Sequence, residues 1–195
     1  GEHEQAKQVW ALVVDVAPNH AEARKALGHV RFEGKWMTPK EAERARELTW
    51  FHPWHSVFDA DYDEVDFAWF SGGRLNASFN CVDRHLDTRG DQTAIIWEPD
   101  DPNEPAQHIT YKELHADVNR FANVLKARGV KKGDRVTIYM PRIPELVMAM
   151  LATAKIGAVH SVVYGGFSVE ALGERIEDSE SRVLITADGG YLRGK

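Results

Sequence analysis

An α/β fold built on parallel strands is predicted for the later part of the chain, and three observations predict it. Between Arg135 and Asp188 the β-branched runs "RVTIYM", "AVHSVVY" and "RVLITAD" alternate with the helical stretches "PELVMAMLATAKIG" and "SVEALGERIEDSE". Strand, helix, strand, helix, strand is the rhythm of right-handed crossovers in one parallel sheet. The stretch at 144–156 is apolar on nearly every side, so it asks for burial against other layers. Finally, glycine pairs follow two of these strands, at Gly165-Gly166 and Gly189-Gly190.

The elements before this core read differently. Val9, Trp10, Leu12, Val13 and Val16 recur at helical spacing, and Pro18-Asn19 ends the helix. "HAEARKALG" is a second short helix with Gly28 as its C-terminal cap. "VRFEGKW" reads as a small hairpin turning at Glu33-Gly34. Thr38, Pro39 and Glu41 then form a capping box that opens a polar helix. Residues 1–48 are therefore expected to be a short helical segment with a hairpin. From Thr49 to Phe70 aromatic residues crowd together with acids between them, in no helical or strand period. An irregular course is the expectation for 49–70, within an aromatic-rich arm over 49–89, with ordinary packing as the role of its rings. The large α/β domain is expected to begin at Gly90. "TAIIWE" is a strand, "DDPNEPAQH" a proline-broken loop, and "TYKE" a second capping box. That box opens a helix with Leu114, Val118, Phe121, Ala122 and Leu125 on one side, which Gly129 stops.

Composition excludes several function classes. A formal charge of -6 argues against a general polyanion or nucleic-acid binder. The single cysteine, Cys81, leaves no internal disulfide framework and suits a reducing compartment. The N-terminal "GEHEQAKQ" lacks the pattern of a signal peptide, and the apolar run Leu146 to Ala154 is too short to span a bilayer. A cytoplasmic protein without membrane or nucleic-acid partners is expected.

Open parallel sheets bind ligands beyond the carboxyl ends of their strands. Two loops qualify, "VVYGGFS" and "ADGGYLRGK", and in one parallel sheet they emerge on the same side. Glycines let a ligand approach the backbone, and Arg193 and Lys195 supply positive charge. A turn is the alternative reading of each glycine pair. His52 and His55 lack partners at metal-site spacing, so no metal site is expected. Asp83, Arg84 and His85 combine an acid, a base and an imidazole, but adjacent residues rarely face one pocket, and local bonding at a turn is their expected role. No nucleophile elbow and no Walker-type loop occurs, so no catalytic residue is assigned.

From Thr49 onward the chain resembles the N-terminal part of the AMP-forming acetyl-coenzyme A synthetases, in the adenylate-forming acyl-CoA synthetase superfamily. The resemblance rests on "GGRLNASFNCVDRH" (72–85), "QTAIIWEPDDP" (92–102), the long stretch from Ile109 to Ser168, and "VLITADGGYLRGK" (183–195). It implies the beginning of the adenylate-forming ligase fold, and a reaction in which acetate and Mg-ATP give acetyl-adenylate before coenzyme A takes the acetyl group. The ATP, Mg2+ and acetate sites of that family are implied to lie outside these residues, so the chain by itself is expected to be inactive. What carries over is the coenzyme A edge: Arg193, Gly194 and Lys195 for its phosphates, and Gly165, Gly166 and Phe167 beside its thiol arm. Leu192 stands where family members commonly have arginine. Residues 1–48 resemble a helical-repeat segment of the tetratricopeptide type instead, a possible site for a protein partner. A natural fusion, a misassembled frame and a divergent family N-terminus each account for the junction near Ala42–Glu47. A non-catalytic interaction protein and a propionate-specific sibling ligase are the rival readings.

Overall fold

The computed structural model describes residues 2–17, 20–27, 30–32, 35–37, 44–61, 66–101 and 103–189. The chain divides into two compact units, Gly1–Leu75 and Asn76–Lys195.

In the first unit, helices α1 (Glu2–Val16) and α2 (Ala21–Ala26) bury Val14 and Ala23. The His20 imidazole caps α2 by accepting from the Ala23 amide, and its ring lies 6.2 Å from that of Trp10. The opposite side of α1 leaves Val9, Leu12 and Val16 exposed. Strands β1 (Val30–Phe32) and β2 (Lys35–Met37) pair antiparallel, as the hairpin reading requires. The expected turn at Glu33-Gly34, the Gly28 cap, the Pro18-Asn19 stop and the Thr38–Glu41 capping box lie outside the described residues.

The irregular arm expected at 49–70 is corrected by the structure. β3 (Ser56–Asp61) and β4 (Asp66–Ser71) form an antiparallel hairpin, with Ser56 opposite Ser71 and Asp61 opposite Asp66. Aromatic residues favour strands. The register puts Phe58, Phe67 and Trp69 in one alternating set and Asp59, Asp61 and Asp66 in the other, while Phe70, at φ 53°, falls in the acids' set and interrupts the period of two. At the base of the hairpin the Phe70 ring lies 5.4 Å from Trp50 and 5.9 Å from Trp54. Gly73 makes this closure possible: a Cβ there would come within 2.6 Å of the Trp50 ring and 2.7 Å of the Phe70 carbonyl oxygen. These three rings pack against one another while only half-buried, and Phe51 and Trp69 stay exposed.

In the second unit, Asn76 opens α3 (Ala77–Cys81), followed by a 3-10 turn (Asp83–His85) and α4 (Leu86–Arg89). β5 (Thr93–Trp97) pairs antiparallel with β6 (Gln107–Thr110). β6 departs from the sequence reading, which left Gln107 and His108 in the loop. Four residues with Ile109 as the one apolar member carry little strand signal alone, and the partner β5 supplies the ladder. α5 (Tyr111–Ala127) begins with the predicted capping box: the Thr110 hydroxyl accepts from the Glu113 amide, and the Glu113 carboxylate accepts from the Thr110 amide at 2.8 Å. Its buried stripe is Leu114, Val118, Ala122 and Leu125.

The parallel core is β7 (Arg135–Met140), α6 (Pro144–Lys155), β8 (Val159–Tyr164), α7 (Val169–Ser179) and β9 (Val183–Thr186). Strand order is β8-β7-β9, all parallel. Val136 and Ile138 of β7 join Ala149 and Ala152 of α6 and the stripe of α5 in one cluster. The alternate residue Thr137 donates to the Ser181 hydroxyl beyond α7, at 2.7 Å. Right-handed connections in opposite directions thus put α6 and α7 on opposite faces. α6 keeps Val147 exposed, while Pro144, Ala149, Ala152 and Thr153 are buried.

Asn76 ties two helix ends together. Its Oδ1 accepts from the Phe79 amide at 3.1 Å, capping α3, while its Nδ2 donates to the Ala154 and Lys155 carbonyls at the end of α6. Replacing it removes an N-cap and two C-terminal partners at once. Asn76→Ala is expected to lower unfolding free energy by about 1–2 kcal/mol in urea titrations. Asn76→Asp keeps the cap but faces a carboxylate to two carbonyls, and should destabilise as well.

The Thr110 amide, then the Thr110 hydroxyl, hold the Glu113 carboxyl below its ordinary range. A carboxylate whose folded pKa is lowered stabilises the fold above its unfolded pKa, and loses that contribution as pH falls through the folded value. The acid limb of the stability–pH curve should therefore flatten in Glu113→Gln, measured by denaturant midpoints from pH 6 down to about pH 3. An unchanged slope would show that the box contributes nothing to acid sensitivity.

Candidate site at the carboxyl ends of the strands

Because β7, β8 and β9 run parallel, the segments leaving β8 and β9 emerge on the same side, as the sequence reading required. The strand order adds something that reading lacked, for β7 lies between the other two. The ends of β8 and β9 are therefore about 10 Å apart, two strand spacings. The connections from β7 go first to one neighbour and then across to the other, so the topological switch point lies between β7 and β9. Pro141 and Arg142 border it on one side, Asp188 and Gly189 on the other.

Of the predicted site residues, Gly165, Gly166 and Phe167 stand at the end of β8. Arg193, Gly194 and Lys195, together with Leu192, lie outside the described residues. The loop at Gly165–Phe167 is a tight turn in which the Phe167 amide donates to the Tyr164 carbonyl at 3.1 Å. The Tyr139 hydroxyl, from β7, reaches the carbonyls of Gly165 at 2.9 Å and Phe167 at 3.2 Å. Ser168 then caps α7, its hydroxyl accepting from the Ala171 amide.

The two glycines have different reasons. A Cβ on Gly166 would come within 2.6 Å of the exposed Tyr164 ring, which would have to swing aside to admit a side chain. A Cβ on Gly165 would meet nothing nearer than the Met140 carbonyl oxygen at 3.6 Å, an ordinary contact. Neither glycine has positive φ. Gly166 is therefore tied to the position of the Tyr164 ring, and Gly165 is left as open backbone.

Around this loop the structure gathers side chains that sequence reasoning missed. The Tyr164 and Phe167 rings meet edge to face at 6.3 Å, and both are exposed. The Arg142 guanidinium lies 5.8 Å from the Tyr164 ring centre, and that of Arg175 4.5 Å from Phe167. The Trp97 indole holds the Arg142 backbone by donating to its carbonyl at 2.8 Å. Arg142 follows a strand end directly, a position that strand topology could have singled out. Arg175 and Tyr139 are distant in sequence from the loop and carry no local signal. Glu170 adds an opposite charge: its own amide, then the Ser168 hydroxyl, hold its carboxyl below the usual range. The rim is thus aromatic and mixed in charge.

Other candidate groups disperse. Asp83 meets Lys155 at 2.6 Å and lies 3.3 Å from His115 Nε2, Arg84 donates to Asn80 Oδ1, and the His85 ring lies against Tyr111. These three neighbours point into three different contacts, of which only that of Arg84 is local; Asp83 and His85 meet residues of distant elements, which corrects the expectation of local bonding at a turn. His52 is engaged through its backbone with Arg74, and the His55 ring lies against Gly72. Among the described residues no group of three metal-ligating side chains is assembled, and no helix is long and apolar enough to cross a membrane. An open groove of about 500 Å3 beside β6, α5 and α6 carries Glu113, Asp117 and Glu145, a lining that repels anions.

Similarity to known proteins covers most of these elements. A family model described as AMP-binding enzyme matches residues 82–194, and one described as acetyl-coenzyme A synthetase N-terminus matches residues 42–81. Acetyl-coenzyme A synthetase 2 of Pseudomonas aeruginosa is 60% identical over 148 residues, which are 76% of this chain and 23% of the relative. Acetyl-coenzyme A synthetase of Saccharophagus degradans is 62% identical over 155 residues, 79% of this chain and 24% of the relative. That of Alkalilimnicola ehrlichii is 55% identical over 163 residues, 84% of this chain and again 24% of the relative. The chain spans about a quarter of the length of the curated relatives it matches.

The contrast between the glycines is testable in the chain itself. Gly165→Ala should leave the thermal midpoint nearly unchanged, within about 0.5 kcal/mol. Gly166→Ala should displace the Tyr164 ring and abolish its nuclear Overhauser contacts with Phe167. Retention of those contacts in Gly166→Ala would show that the turn accommodates a side chain.

Proposed function

The chain belongs to the AMP-binding enzyme family, and from that premise we propose that it forms part of a cytoplasmic acetate–CoA ligase. In this reaction acetate and Mg-ATP give acetyl-adenylate and pyrophosphate, and coenzyme A then takes the acetyl group and releases AMP. The observation that carries the reading is the family similarity running without a gap from residue 42 to residue 194, across both candidate loops. Relatives named as acetyl-coenzyme A synthetases support acetate over propionate as the acid.

Within this reading the chain contributes the coenzyme A edge, and the ATP and acetate sites belong to the remaining length of such ligases. The neutral thiol arm runs along Gly165, Gly166 and Phe167. Open backbone at Gly165 supports this. The phosphates fall to Arg193, Gly194 and Lys195, one cation fewer than family members commonly supply, because Leu192 is neutral. A segment foreign to the family is proposed for the residues ahead of 42, where the family match begins, in place of the whole of 1–48; it precedes an arm reaching to 89 and a large α/β domain from 90. The exposed stripe of Val9, Leu12 and Val16 supports a protein partner for that segment.

The test separates the two half-reactions. In a polypeptide carrying these residues within the full length of its relatives, Lys195→Glu should raise KM for coenzyme A about tenfold, the scale of one charge-assisted bond at a partly solvated rim. Acetate-dependent exchange of pyrophosphate into ATP should be untouched. Equal loss in both half-reactions would make Lys195 structural and remove it from the site.

A further inference from the structure

Tyr139 is the part of the β8 loop's architecture that no local sequence signal announces. It stands on β7 in register with Val163 of β8 and Thr186 of β9. From there its hydroxyl reaches past the end of β8 to two carbonyls of one loop, Gly165 at 2.9 Å and Phe167 at 3.2 Å. A phenol has one proton, so it is shared between them, and both carbonyls turn toward one point. Peptide groups are planar, and none here is cis. Turning those carbonyls inward therefore aims the amides of Gly166 and Ser168 outward. Among the described residues neither amide meets a hydrogen-bond acceptor.

We infer that Tyr139 is a positioning residue, holding this loop so that the Gly166 and Ser168 amides donate to an amide-bearing arm. The inference rests on the reading above, in which the thiol arm of coenzyme A lies along Gly165–Phe167, and goes beyond it by naming what shapes the loop. The arm's own amides present carbonyl oxygens, the acceptors that two outward N–H groups require. Tyr139 itself does not touch the ligand. Its effect passes through the loop backbone, so it should alter affinity for the arm and not for the phosphates.

Two probes separate these parts: coenzyme A, and adenosine 3′,5′-bisphosphate, which has phosphates but no arm. Titration calorimetry of the chain and of Tyr139→Phe should show coenzyme A weakened about fivefold, the scale of one net hydrogen bond. Binding of the bisphosphate should be equal in both proteins. In the unsubstituted chain, the Gly166 and Ser168 amide resonances should move with coenzyme A and stay in place with the bisphosphate. Those amides failing to respond selectively, or equal coenzyme A affinity in both proteins, would overturn the role of Tyr139 while leaving the loop assignment standing. Equal weakening of both probes would make Tyr139 merely structural. An unsubstituted chain that binds neither probe would overturn the loop assignment, and this inference with it.

Discussion

The second unit depends on the burial of one strand. Val136, Thr137 and Ile138 of β7 are wholly inaccessible to solvent, and β7 hydrogen-bonds to a parallel neighbour on each side. Full burial of each aliphatic side chain stabilises by about 1.5–3 kcal/mol, and it fixes the register as well. A slip by one residue would bring Thr137 into the apolar cluster with α5 and α6, and would remove its hydroxyl from Ser181. Because that partner lies on the opposite face from the apolar cluster, one residue change in register would leave a buried polar group unpaired. Both ends of β7 act further. Arg135 donates to the Ser179 carbonyl and pairs with Glu180 at the end of α7, and Tyr139 secures the loop that opens α7.

A second set of interactions holds the helices that cover this strand. Asn76 bridges the start of α3 and the end of α6, and Asp83 meets Lys155 beside the same helix end. The Asp83 and Lys155 side chains are only 18% and 22% exposed, so much of their attraction is offset by desolvation. Their contribution is orientation: α6 is docked against α5 at its C-terminal end while its N-terminal end sits beside the mouth of the sheet. The loop after β8 inherits its position from this docking, since α6 delivers the chain to β8.

The elements legible in the sequence were those with local causes. The Thr110–Glu113 box, the stripe of α5, the proline that begins α6 and the β-branched runs of the parallel strands all act within a few residues. β3, β4 and β6 were not legible: β6 holds one apolar residue, Ile109, and the six-residue β3 and β4 show their two faces only when paired. In β3 and β4 the rings Phe58, Phe67 and Trp69 separate from the acids Asp59, Asp61 and Asp66 only once the strands are paired, and Phe70 interrupts the alternation. At the candidate site, the glycines and Phe167 stood out as a loop after a strand, whereas Tyr139, Arg142 and Arg175 did not. Those three come from a neighbouring strand, from the turn after it and from the following helix, and only folding brings them to one rim.

Alternation of strand and helix in the sequence by itself determined that a parallel sheet forms, and that its glycine loops share a side. Handedness makes this nearly obligatory once the alternation exists. Tertiary structure decided that β7 separates the two outer strands, so that the ends of β8 and β9 stand two strand spacings apart. Order within a sheet is set by which faces can be buried together, and no single segment carries that information. Tertiary structure also divided the glycine pair, assigning Gly166 to the turn beside Tyr164 and leaving Gly165 open beside the Tyr139 hydroxyl.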